Sequence, residues 1–176
     1  MKRFILITLV IHITSIPLYL QDTEYLFRYG TRQQKIEAIN AFMRQKTPRE
    51  LTLLIYGLKD KREDIFIRQY ILHALRAFPL QRAKYAVIWA LECDILPLRK
   101  EAALAASGYP LRDVMYPIIN ALHDENHQVR KNALFSLAII GDKSVLPFIK
   151  RSLHDEHPEV RNQAKVTIDR IALRHP

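Results

Sequence analysis

Arg68, Arg99, Arg130 and Arg161 are spaced by 31 residues each time. A unit this short cannot bury an apolar face alone, so its copies have to stack on one another. Fixed positions around each arginine are apolar. One residue before stand Ile67, Leu98, Val129 and Val160, and three after stand Ile71, Ala102, Ala133 and Ala164. Seven after come Leu75, Ala106, Leu137 and Ile168, and ten after come Phe78, Tyr109, Ile140 and Ile171. These offsets trace one stripe of a 3.6-residue helix, so the chain writes the same amphipathic helix four times.

Another helix is predicted ahead of it in each unit. Leu91, Leu122 and Leu153 lie eight residues before their arginines, and Leu58 lies ten before Arg68, a two-residue insertion. Leu54, Val87, Ile118 and Ile149 sit one turn upstream of these leucines. Lys84 is the one misfit on the next turn up, read as a stem that reaches out to water. Polar loops such as Asp60-Lys61-Arg62-Glu63, Asp124-Glu125-Asn126-His127 and Asp155-Glu156-His157-Pro158 separate the two helices. Gly108 and the pair Gly141-Asp142 are expected to end the later helix in two units. Allowing for the insertion, Lys35 takes the arginine position upstream, with Ala38, Ile39 and Phe42 on the apolar stripe. Thr31–Gln45 is therefore expected to be an unpaired second helix. Tyr25, Phe27 and Tyr29 before it fit a short extended segment or one face of a turn, covering the exposed apolar end.

The text Leu122-His123-Asp124, Val129-Arg130, Ala133, Leu137-Ala138 and Gly141-Asp142 resembles the short bacterial HEAT-like repeat, including the type named after phycobilisome lyases. The unit at Leu153, Asp155, Val160-Arg161 and Ala164 repeats it. The resemblance implies an all-α fold, a right-handed α-solenoid of about four and a half helix pairs over residues 21–176. Four residues after the arginines, Leu72, Ala103 and Leu134 give way to Lys165; six after, Ala74, Ala105 and Ser136 give way to Thr167. Both changes predict a polar, outward-facing cap that closes the array.

Lys2 and Arg3 followed by the apolar run Phe4–Ile13 form the pattern of a secretory signal peptide. The run is short for a membrane span, which takes roughly 20 apolar residues. Residues 1–20 are therefore read as a signal peptide or an N-terminal anchor, with a folded first helix as the remaining alternative. Uncleaved, residues 4–20 would associate with a membrane; in either case the protein is expected to be exported, periplasmic or attached to the cell envelope. Loss of Lys2 and Arg3 would lower the net charge from +9 to +7.

Four glycines and one cysteine leave little room for a phosphate-cradling loop, a disulfide framework or a cysteine-based zinc cluster. Cys93 lies between Glu92 and Asp94, an acidic setting for a nucleophile. His123 and His154 are repeat equivalents, with His127 and His157 close by, and solvated turns account for all four. Related iron hydroxylases use His-Glu dipeptides, and the loops here lack that dipeptide. No catalytic residue, cofactor or metal ligand is expected, and the chain is read as not an enzyme. Arg68, Arg99, Arg130 and Arg161 read first as a structural Asp–Arg ladder with Asp64, Asp94, Asp124 and Asp155. The alternative use is a basic stripe on the concave face, helped by Lys100 and Lys131. Phe66, Tyr70 and His73 share a helix face, by default for packing. The function expected is an exported scaffold that binds a protein through its curved surface. The competing reading is a cytoplasmic nucleic-acid-binding or base-excising protein, against which the export signal and the acidic neighbours of the ladder both count.

Overall fold

The computed structural model describes residues 23–79 and 81–174. The signal or anchor assigned to residues 1–20 lies outside them. Among the described residues ten α-helices follow one another, α1 Thr23–Tyr29, α2 Arg32–Gln45, α3 Pro48–Lys59, α4 Ile65–Leu75, α5 Gln81–Glu92, α6 Leu96–Ala105, α7 Leu111–Asn120, α8 His127–Ile140, α9 Leu146–Arg151 and α10 Pro158–Arg174. Among the described residues there is no strand, and no helix is long and apolar enough to cross a membrane.

Local chemistry sets the helix starts. Thr31 Oγ1 accepts from the Gln34 amide while Gln34 Oε1 accepts from the Thr31 amide, at 3.3 and 2.8 Å, a reciprocal cap on α2. Asp64 Oδ1 accepts from Phe66 N at 2.8 Å to start α4, and Asn126 Oδ1 accepts from Gln128 N at 3.0 Å to start α8. Prolines occupy the first turns of α3, α6 and α9, where a missing N–H costs nothing.

The helices form two layers. The helices carrying the 31-residue register, α2, α4, α6, α8 and α10, stack side by side, and α3, α5, α7 and α9 line the other layer. Each of Ile67, Leu98, Val129 and Val160 is at most 1% exposed, as is each of Leu54, Val87, Ile118 and Ile149. Complete burial of a side chain of this size contributes about 1.5–3 kcal/mol, so the two registers together dominate the packing. The alanines three residues after the arginines are fully buried, and their small size lets neighbouring backbones approach closely.

Three expectations change. Thr167 does not face outward: it is fully buried, and its hydroxyl donates to Leu134 O at 3.0 Å on the preceding repeat. Ser136 does the same toward Ala103 O at 2.6 Å, so this position looks back along the array and takes a small hydroxyl to satisfy a carbonyl. Lys165, two residues earlier, is exposed. No described glycine has a positive φ; Gly141 closes α8 with φ −72°, and a Cβ there would meet Leu137 O at 2.5 Å. Close approach, not a left-handed turn, requires glycine at that position. Tyr25, Phe27 and Tyr29 lie on α1 instead of an extended segment. Helical phase separates them: Phe27 is buried edge-on to Phe42 at 5.4 Å, while Tyr25 and Tyr29 stay exposed.

Candidate interaction surfaces of the solenoid

The four arginines line one edge of the stack, beside the loops that join the two helices of each unit. Arg68 is buried and donates from Nε to Leu58 O at 2.8 Å. Arg99 reaches Asp124 of the next unit from Nε at 2.8 Å, and Glu125 from Nη2 at 2.8 Å. Arg130 makes the same move to Asp155 and Glu156. Each of these two also donates from Nη1 to its own loop, Arg99 to Cys93 O and Arg130 to Asp124 O. Asp124 thus gives its carbonyl to Arg130 and its carboxylate to Arg99, and Asp155 gives its carbonyl to Arg161 and its carboxylate to Arg130. The fork of arginine suits this division, since its edges can serve two acceptors at once.

The ladder is irregular at its ends. Lys35, at the arginine position of α2, pairs with Glu63 at 2.6 Å. Asp64 pairs with Arg32 at 2.6 Å, and Asp94 is exposed. Arg161 donates from Nη1 to Asp155 O and Glu156 O at 2.7 and 2.9 Å. Electrostatics follow the contacts. The hydrogen bond from Arg130 holds the Asp155 carboxyl below its ordinary value, and the Asp124 carboxylate raises the Arg99 guanidinium.

Two arrangements lie outside the periodic pattern. His127 and His157 sit 30 residues apart, not 31, yet their rings stack at 4.2 Å across the repeat boundary. Lys84 does not simply reach water: its Nζ lies 3.2 Å from Asp113 Oδ1 and joins α5 to α7. Among the described residues no group of three or more histidine, cysteine or carboxylate side chains is placed to hold a metal ion. Cys93 is partly buried, its Sγ directed to Ala90 O at 3.3 Å.

Two helix faces remain open. On the stacked layer, His73, Leu104, Phe135 and Val166 are equivalent positions five residues after the arginines, and Phe135 and Val166 are 41% and 43% exposed. Lys100 and Lys131 flank this row, and Lys131 pairs with Glu159 at 3.0 Å. Tyr70 stacks on His73 at 5.9 Å and bonds Asn40, so it serves packing, whereas Phe66 is exposed under the Arg32 guanidinium. The face of the other layer is basic and aromatic. Exposed Arg82, Arg112 and Arg151 alternate there with Tyr56, Tyr85 and Tyr116, and Lys59 lies over the Trp89 ring at 5.3 Å. An open cleft of about 940 Å³ beside α1 is lined by Phe27, Tyr29, Tyr56 and the paired Lys35 and Glu63.

The family model described as HEAT repeats matches residues 86–169. No curated protein matches the sequence. Among solved structures, the complex of CpcE and CpcF of phycocyanin lyase from Nostoc sp. PCC7120 is similar with a TM-score of 0.66 and 17% identity, covering 86% of this chain and 64% of that one. The chain thus spans less than two thirds of that relative's length. Human deoxyhypusine hydroxylase is similar with a TM-score of 0.53 and 13% identity over 86% of this chain and 83% of that one. A designed armadillo repeat protein in complex with the peptide (KR)4 reaches 0.57 with 14% identity, covering 85% and 80%. At these identities the likeness shows the fold. The stacked helix pairs, their 31-residue register and the family match agree: residues 86–169 match the HEAT-repeat model, and the fold of the chain is a HEAT- and armadillo-like α-solenoid.

Proposed function

We propose that the chain is a non-enzymatic scaffold, exported and periplasmic or held at the cell envelope, that binds a protein partner across its curved surface. The observation that carries the reading is the row of half-exposed side chains on the stacked layer, centred on Leu104, Phe135 and Val166. A repeat-aligned apolar row on an extended array is a binding surface of the kind solenoids use. The neighbours support it, since one was solved as a complex of two named chains and another with a bound peptide. Export rests on Lys2, Arg3 and the apolar run from Phe4 to Ile13.

The test couples location to contact. N-terminal sequencing of the native protein from separated cell fractions should find it in the envelope or periplasm. A photo-crosslinker at Phe135 should then give one dominant adduct there. A cytoplasmic protein whose crosslinker stays unreacted would overturn the reading.

The basic and aromatic face of α3, α5 and α7 favours a second reading, nucleic-acid binding, because cations and exposed rings serve phosphates and bases. A cytoplasmic location together with salt-dependent retention on single-stranded DNA, lost on Arg82→Glu with Arg112→Glu, would establish it in place of the first.

A further inference from the structure

Inside the array the arginine fork has two edges with separate tasks. The Nη1 of Arg130 is held by its own loop, at Asp124 O and Glu125 O, 2.9 and 3.2 Å away. Its Nε and Nη2 then face Asp155 of the next unit at 2.7 and 2.9 Å. Arg161 repeats the first half of this arrangement, with Nη1 on Asp155 O and Glu156 O at 2.7 and 2.9 Å. Among the described residues, its Nε and Nη2 edge has no acceptor. The guanidinium is thus fixed in the pose that receives a carboxylate, without one to receive.

The two filled rungs define what fits. Both present an adjacent Asp–Glu step, Asp124-Glu125 to Arg99 and Asp155-Glu156 to Arg130. In both, the aspartate also accepts from the amide two residues on, at 2.8 and 2.9 Å, which shapes the loop ahead of a helix. Lys165 on α10 and Arg151 at the end of α9 are exposed at the same end of the array and add attraction for an acidic segment.

We propose that Arg161 is a docking point for an acidic loop of a partner protein, an Asp–Glu step leading into a helix, which completes the ladder as a further repeat would. The partner is a different protein: this chain's own Asp–Glu steps are engaged by Arg99 and Arg130. The inference rests on the scaffold reading above and names the chemistry of one contact.

The test uses the full chain and a peptide with the sequence of residues 153–160. With ¹⁵N-labelled protein, the peptide should shift the Arg161 Nε–H resonance in a saturable way, and the apparent Kd should rise with salt. Arg161→Gln, or a peptide with Asn and Gln in place of Asp155 and Glu156, should weaken binding at least tenfold. Arg161→Lys should retain part of it. An unshifted Arg161 resonance, or equal affinity for the neutral peptide, would overturn the proposal. So would sedimentation showing a dimer that Arg161→Gln dissociates, because the occupant would then be a second copy. If the Phe135 adduct forms unchanged in the Arg161→Gln protein and the peptide does not bind, this docking point fails while the scaffold reading stands.

Discussion

Nε and Nη2 of Arg130 donate to the two carboxylate oxygens of Asp155 at 2.7 and 2.9 Å, across the boundary between α8 and the loop before α10. Both side chains are about nine-tenths buried, so neither charge can be removed without stranding the other. Arg130→Gln is therefore expected to cost about 3 kcal/mol in urea unfolding. Arg161→Gln, which loses only contacts to loop carbonyls, should cost about 1 kcal/mol.

Acid should act on the same pair. Arg130 lowers the Asp155 carboxyl from 3.8, so its contribution to stability is complete above that value and is lost as pH falls through the lower folded one. In Asp155→Asn the fall in melting temperature below pH 4 should be shallower than in the parent. Parallel curves would show that the pair does not carry the acid response.

Glu101 has the opposite sign. Burial pushes its carboxyl above 4.5, with His73 and Arg76 pulling it back. The folded state holds that proton more tightly, so stability drops as pH rises from 4.5 through the folded value, and the full cost is present above it. Glu101→Gln should raise the melting temperature at pH 7, and the gain should shrink as pH falls through the folded value and be gone below 4.5.

Ala133, on α8, is fully buried in the core of the stack. Ala133→Phe should overpack its site and cost about 1–3 kcal/mol in a thermal melt. An unchanged melt would contradict the stacking register.

Gly57 lies within α3, where propensity alone favours alanine by about 1 kcal/mol. A Cβ there would stand 2.7 Å from Phe27 Cζ and 3.0 Å from Ile71 Cδ1. Phe27 is buried against Phe42 and cannot swing aside freely, so Gly57→Ala should give a net loss of about 1–2 kcal/mol. Shifted Phe27 ring resonances would identify the clash as the cause.

The stacking was legible because burial obeys the 31-residue period, as Leu54, Val87, Ile118 and Ile149 show at full burial. The start of α2 was legible for a local reason, the reciprocal bonds of Thr31 and Gln34. The candidate surface was harder to read. Asp64, Asp94, Asp124 and Asp155 look alike in sequence, yet only the last two reach an arginine of the ladder. Which neighbour a carboxylate meets depends on how one unit is set on the next, and that offset is a tertiary quantity. The stack of His127 on His157 falls outside the period altogether, and the polarity of Thr167 does not mean exposure, because its hydroxyl is spent on a buried carbonyl.

Ion pairs tie α2 to the first full helix pair, and tie the later pairs to one another, through Lys35–Glu63, Arg99–Asp124 and Arg130–Asp155. Arg68 turns instead to its own unit, and among the described residues no ion pair spans the joint between the α3–α4 pair and the α5–α6 pair. Apolar packing, the bond from Gln69 to Pro97 O and the bond from Tyr109 to Leu75 O hold that joint. Salt weakens attraction between exposed charges far more than between buried ones. Three joints are thus keyed by a buried charge pair that fixes how one unit sits on the next, and the fourth, crossed by the longer-range attraction of Glu101 for His73 and Arg76, relies mainly on shape.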